Sequence, residues 1–462
     1  MEGQINLGSA SGDKIKEITE LETVSTIVEI GTWNGRGTTR CVMEGMKGKE
    51  SSEFYTLECN KKQYDIAKSA DPGLSSVHFL LGRIIEEQDL DDSDLVDDGG
   101  YTAAQWSSWL AKDKIAMREV PNVLDKLPDE IDFLILDGGE FSTRKELQLL
   151  KDRSKYIFLD DTLLRKNKAN RVDLMLSDEF ITMEDHQDDR NGWSLFVRKE
   201  ENTLIQLNKF ASIHDGLHTL FCKTDFIGDV FPYLESNPRP CVLITGNSDL
   251  SITDAMVAAA PDCIVRWFAQ NADTTNPKVE GIPLGIENSE ECLMAGHGVG
   301  WPHAVSKVEA LLNYEDREPT KEVYANFSLD THSSRAAIHD SCKDLDYVTT
   351  NVSKNHFEIN VRSYTAYVND ILDHKMVVCP RGNGIDCHRV WEVLYLNRVP
   401  IIKRENAMRY FKELPIIVLD DWSELQSLET LHQKYDAVKD NSRELLNIDY
   451  WMEKIKNVTV RE

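Results

Sequence analysis

The stretch CPRGNGIDCHRVWEVLYLNRVPII, residues 379–402, puts a glycine-punctuated turn after an apolar run and directly before a helical pattern. A helix that opens behind such a turn offers unpaired N–H groups and a partial positive charge, which suits an anion. Arg381 and Arg389 add formal charge, Gly382, Asn383 and Gly384 let a ligand approach the backbone, and Asp386 is expected to cap a helix starting at Cys387. A diphosphate is the ligand that fits. Glu392 falls three and four residues after Arg389 and His388, on their face, while Val390, Val393, Leu394 and Leu396 supply the apolar face. A carboxylate one turn beyond the phosphate end is placed to accept ribose hydroxyls; an ion pair with Arg389 is the alternative.

Arginine, glycine, asparagine and glycine in this order, followed by the Trp391–Glu392 pair, resemble the nucleotide-sugar lobe of the exostosin-like glycosyltransferases. The resemblance implies a GT-B fold of two Rossmann-like lobes, with an acceptor lobe over residues 205–318 and a nucleotide-sugar lobe over 319–462. Its implied donor set is Arg335, Arg381, Gly382, Asn383, Gly384, His388, Arg389 and Glu392. Arg335 closes YANFSLDTHSSR and is a second cation for the diphosphate, or else part of an ordinary helix start. An inverting transfer needs a base near the acceptor hydroxyl, and Asp249 in CVLITGNSD is the candidate, with helix capping as its alternative. Arg266, Trp267 and Gln270 suit either a sugar-stacking wall or a core.

From Ser25 the chain alternates β-branched runs with helical patterns (STIVEIG, EFYTLEC, VHFLLG, DFLILDG, YIFLDDT), as a parallel sheet covered on both faces requires. FITMEDHQ and WSLFVRKE around DDRNG read as a closing antiparallel hairpin, so the first domain is expected to span residues 1–200. The turn after its first strand, Gly31 to Gly37, has the spacing G-x-x-x-G-x-G. It resembles motif I of the class I S-adenosylmethionine-dependent methyltransferases; a tight turn alone is the alternative. The cofactor set so implied is Glu29, Gly31, Gly35, Gly37, Glu58 and Asp137, with Glu58 on the ribose. Asp137, Asp160 and Asp161 end two later strands and resemble the Mg²⁺ ligands of metal-dependent O-methyltransferases, or cap the following turn. Where several such enzymes carry a histidine, this chain has Gly138, Gly139 and Glu140.

The bulk composition narrows the classes. The 462 residues exceed one ordinary core, and 79 acidic against 52 basic side chains give a formal charge of −27 with no basic block, which disfavours nucleic acid as a partner. No apolar run approaches the roughly 18 residues of a membrane span, MEGQINLGSASGDK lacks a signal pattern, and the nine cysteines follow no disulfide or zinc spacing. The reading that these resemblances imply is a cytoplasmic α/β protein in which a methyltransferase domain is fused to a GT-B glycosyltransferase, a bifunctional enzyme that transfers a sugar to a saccharide acceptor and methylates a glycan hydroxyl. Its expected cofactors are S-adenosylmethionine, a nucleotide sugar and Mg²⁺, and its partner a saccharide acceptor. The alternatives are a glycosyltransferase with a non-catalytic methyltransferase-fold domain, or a carbohydrate-binding protein with both sites degenerate.

Overall fold

The computed structural model describes residues 5–21, 23–49, 51–69, 75–93, 95, 101–177, 179–199, 202–287, 304–350 and 361–458. The chain divides into two compact units, Met1–Glu200 and Glu201–Glu462.

The N-terminal unit is built on seven strands: β1 Thr26–Ile30, β2 Glu53–Glu58, β3 Val77–Leu81, β4 Ile131–Leu136, β5 Ser154–Asp160, β6 Phe180–His186 and β7 Trp193–Arg198. They lie in the order β3-β2-β1-β4-β5-β7-β6, and only β7 opposes its neighbours. Runs such as IDFLIL are buried on both faces, which is why they read as continuous apolar segments. The turn DDRNG reverses the chain with Arg190 at φ 53° and Gly192 at φ 80°. Because β1 pairs with both β2 and β4, the chain changes direction across the sheet at β1, where a crevice opens beyond the strand ends. The helix Ala103–Arg118, capped by Thr102 on the N–H of Gln105, inserts Trp106, Leu110 and Met117 into the core. Residues 94 and 96–100 of the preceding acidic stretch lie outside the described residues.

The C-terminal unit carries two sheets. Strands β8 Thr219–Lys223, β9 Cys241–Gly246, β11 Ile264–Ala269 and β13 Val279–Gly281 form a parallel sheet of order β13-β11-β9-β8, and β10 Ile252–Thr253 pairs separately with β12 Ala272–Asp273. Strands β14 Lys321–Ala325, β15 Val348–Thr350, β16 His374–Val378, β17 Val399–Lys403 and β18 Ile417–Leu419 form a second, of order β15-β14-β16-β17-β18. One apolar cluster runs between them, joining Val242, Ile244 and Phe268 to Tyr324, Val377, Trp391 and Trp451. The last helix, Ile448–Lys456, belongs to this cluster through Ile448, Trp451 and Ile455, and Lys454 pairs with Glu280 beside the first sheet.

Trp267 is a core residue and not a cleft wall: it is fully buried and its indole N–H donates to Thr245 Oγ1 at 2.9 Å. Gln270 is buried as well, and Arg266 pairs with Glu280. Residues 288–303 and 351–360 lie outside the described residues. Among the described residues the cysteines are unpaired, and no helix is long and apolar enough to cross a membrane.

Separately expressed fragments 1–200 and 201–462 are expected to unfold cooperatively in denaturant, followed by circular dichroism, because each retains a whole core. Fragment 319–462 is expected to show no cooperative transition, since it loses Val242, Ile244 and Phe268 from the shared cluster.

Candidate functional site

In the N-terminal unit the first turn brackets a cavity of about 610 Å³ beyond the ends of β1, β2 and β4. Gly31, Trp33, Asn34, Gly37, Glu58 and Asp137 line it, together with Asp113 and Glu146. Gly31 has φ 108°, and a Cβ there would fall 2.2 Å from the carbonyl oxygen of Asp137, so only glycine lets β1 turn beside β4. Gly35 does not line the cavity; at φ 70° it packs its bare Cα against Ala67. Glu58 holds the turn through both oxygens, accepting from the N–H of Trp33 and of Asn60, each at 2.7 Å. Burial pushes Glu58 up to about 7 against those two bonds, and pushes Glu146 to about 7 and Asp113 to about 6.

Glu29 is not a cavity residue. It lies beneath the turn, fully buried, accepting from Thr39 Oγ1 at 2.8 Å and Thr56 Oγ1 at 2.5 Å. Burial pushes it up to about 8, against the two hydroxyl bonds.

Asp137, Asp160 and Asp161 do converge, with one oxygen from each lying within 4.8 Å of the others. A buried ammonium already stands among them. Lys166 Nζ lies 2.5 Å from Asp137, 3.1 Å from Asp161 and 3.8 Å from Asp160. Arg190 donates to both oxygens of Asp160, at 2.9 and 3.1 Å, and Thr38 Oγ1 takes the second oxygen of Asp137 at 3.0 Å. The donor set therefore does not fit Mg²⁺ as the sequence reading had it, because the cation's place in the charge balance is filled. The bonds that the Asp160 and Asp161 carboxylates accept come from the side chains of Arg190, Lys166 and Asn191, not from the backbone of the following turn.

In the C-terminal unit the loop from Pro380 to Cys387 connects β16 to the helix His388–Tyr395. Asp386 does not cap that helix. Its carboxylate accepts from the Trp391 indole at 2.9 and 3.0 Å and from the N–H of Leu284 at 2.9 Å. Arg335 lies behind the loop, buried, donating to the carbonyls of Arg381 (2.8 Å), Ser328 (3.0 Å) and Pro380 (3.2 Å). Burial, with Arg389 nearby, pulls its guanidinium down to about 10. Arg335 is a brace for the loop's backbone. Arg381 lines a cavity of about 260 Å³ with Ile385 and Trp422, and bends back to the carbonyl of Asn383, itself exposed, at 3.0 Å. Gly382 lies against Arg335 and Thr331, whereas two other groups face the first sheet: Gly384 N–H donates to Asp249 Oδ1 at 3.2 Å, and His388 Nδ1 lies 2.8 Å from the carbonyl of Gly285. Asp249 caps no helix and sits against the glycine loop.

Glu392 is buried, and its partners are Lys307 Nζ at 3.3 Å and the hydroxyl of Tyr367 at 3.0 Å, not Arg389. Lys307 also pairs with Glu287, whose ionised form it supports with His388 against the cost of burial. Sequence reasoning missed Lys307 and Lys166. Lys307 shares a helical face with Leu311, one turn on, so a lysine on an apolar stripe was the available signal.

The strand order of the N-terminal unit, with its single opposed strand, is that of a class I methyltransferase-like Rossmann fold, and the paired parallel sheets of the C-terminal unit form a GT-B-like pair of lobes. Comparison with solved structures returns distant likenesses. The N-terminal domain of EvdMO1 with SAH bound is 12% identical over 42% of this chain and 82% of its own, with a TM-score of 0.24. An α1,3-fucosyltransferase is 12% identical over 52% and 79%, at 0.29. A METTL16 methyltransferase domain is 12% identical over 41% and 80%, at 0.23. No family model and no curated protein matches the chain.

Two substitutions test the groups beneath the loops. The raised Glu29 acid loses its proton earlier in the unfolded chain than in the folded one, so its contribution to stability falls as pH rises from about 4.5 to about 8. Glu29→Gln is expected to match the parent in denaturant melts near the lower limit and to exceed it by more than ~1 kcal/mol at the upper. Arg335→Leu strands three carbonyls and is expected to destabilise the C-terminal unit by about 2–4 kcal/mol, read the same way.

Proposed function

We propose that the chain is a bifunctional glycan-modifying transferase: an S-adenosylmethionine-dependent O-methyltransferase in the N-terminal unit and an inverting, exostosin-like glycosyltransferase in the C-terminal one. The observation that carries the reading is the cavity of about 610 Å³ bounded by the glycine turn, with Glu58 at the end of β2. Its size suits a nucleoside-bearing cofactor. Gly31 and Gly37 leave room for the methionine portion, and Glu58 offers carboxylate oxygens to the ribose hydroxyls. At neutral pH a carboxyl pushed to about 7 by burial is part protonated, and hydroxyl donors favour its charged form.

For the second activity the support is the braced loop Pro380 to Cys387 and the helix behind it. A nucleotide sugar would set its diphosphate against Arg381 and the N-terminal end of the helix His388–Tyr395, which stabilises the leaving charge without a metal. Glu392 would take the ribose, with Lys307 and Tyr367 holding its carboxylate in place. The acceptor is a saccharide hydroxyl. Its base is Asp249, once the Gly384 N–H that now holds it is released.

A thermal-shift screen of S-adenosylmethionine and nucleotide sugars on the full chain is expected to raise the melting point with each. By calorimetry, Glu58→Ala is expected to weaken S-adenosylmethionine by about 1–3 kcal/mol and to leave nucleotide-sugar affinity unchanged, and Glu392→Gln the reverse. No response to any nucleotide sugar would remove the glycosyltransferase half. No response to S-adenosylmethionine would remove the methyltransferase half.

A further inference from the structure

The carboxylates at the cavity rim are arranged as a cation site whose cation is covalently part of the chain. Lys166 is buried, and its ammonium lies 2.5 Å from Asp137 and 3.1 Å from Asp161, facing the same cavity. Its position is not incidental. The carbonyl of Lys166 accepts from Thr143 Oγ1, and the next residue, Asn167, donates to the carbonyls of Leu136 and Asp160 at 3.0 and 2.7 Å, tying the lysine's segment to the ends of β4 and β5. Arg190 neutralises Asp160 from the other side. Three carboxylates thus face two fixed cations, and a divalent ion entering between them would meet the lysine charge at contact distance.

We propose that Lys166 is the resident cation of this site, a positioning residue that organises Asp137 and Asp161 and makes ligand binding in the cavity independent of divalent metal. The step from binding to methyl transfer rests on the cofactor reading above; the cation assignment does not. An ammonium carries three N–H donors and, unlike a metal ion, has no coordination position to give to a ligand oxygen. A substrate oxygen at this rim would therefore be held by donation from the lysine rather than by metal ligation.

Mn²⁺ binding to the full chain, read from the loss of the free-ion paramagnetic resonance signal, tests this. Asp161→Asn is the probe for the parent, because asparagine tolerates the left-handed backbone at φ 55° as well as aspartate does. The parent and Asp161→Asn are expected to give the same isotherm. Lys166→Met is expected to gain one Mn²⁺ site, at least tenfold tighter than any in the parent, which Asp161→Asn then abolishes. A parent site that Asp161→Asn weakens tenfold overturns the proposal, and so does a folded Lys166→Met protein that gains no site. If Lys166→Met does not fold by circular dichroism, the parent and Asp161→Asn pair decides alone. Calorimetry of S-adenosylmethionine with and without chelator completes the test, with equal affinity expected and a tenfold loss in chelator overturning it. Failure of S-adenosylmethionine to bind at all would count against the cofactor reading only, since the Mn²⁺ isotherms are measured without it.

Discussion

An ammonium taken out of water has to be met by acceptors on nearly every side, and each unit is organised around one that is. Lys166 draws in the carboxylates that end β4 and β5, and Lys307 draws in Glu287 and Glu392. Such pairs add little net stability, because desolvation offsets the attraction, but removing one partner leaves a bare charge in the interior. Their effect is on geometry. Carboxylates that would repel one another at the rim of a cavity are held together by the cation between them.

The glycine turns depend on the same economy of space. At Gly31 the backbone of β1 passes so close to Asp137 that a Cβ has no room, so the strand ends are locked at the spacing that brings Asp137 within reach of Lys166. Beneath that turn Glu29 accepts two threonine hydroxyls, and above it Glu58 accepts two backbone N–H groups. The two acids have different tasks although both come from strand ends. Glu29 supports the turn from inside the core, whereas Glu58 faces the cavity, and their burial sets how readily each carries charge.

The sheet of the N-terminal unit was legible because parallel strands buried on both faces leave continuous apolar runs, and its closing hairpin because DDRNG is rich in turn formers. Glu58 was legible for its place at a strand end. Lys166 was not: in LLRKNKANR it is one of several basic residues, and nothing local tells which of them turns inward. Asp386 misled for a related reason. An aspartate just before a helix reads as a cap, but the Trp391 indole five residues on is fully buried and needs an acceptor, and the aspartate supplies it. Glu29 was placed with the ligand because its neighbours in sequence are, although side chains alternate across a strand's two faces.

The loop between β16 and its helix shows how far one segment can join two sheets. The N–H of Gly384 is taken by Asp249, the N–H of Asp386 by Asn271 Oδ1 at 2.8 Å, and the Asp386 carboxylate by Leu284. Donors that a diphosphate would use are thus spent on groups from the other lobe, and at Gly384 the group that takes the donor is itself an anion. A carboxylate and a phosphate oxygen on one N–H exclude each other. On the glycosyltransferase reading proposed above, a phosphate arriving at Gly384 would displace Asp249 and free that carboxylate. Arg335 holds the carbonyls of Pro380 and Arg381 from behind, through bonds that do not involve the N–H groups in front, so an exchange of partners at Gly384 would leave this brace in place.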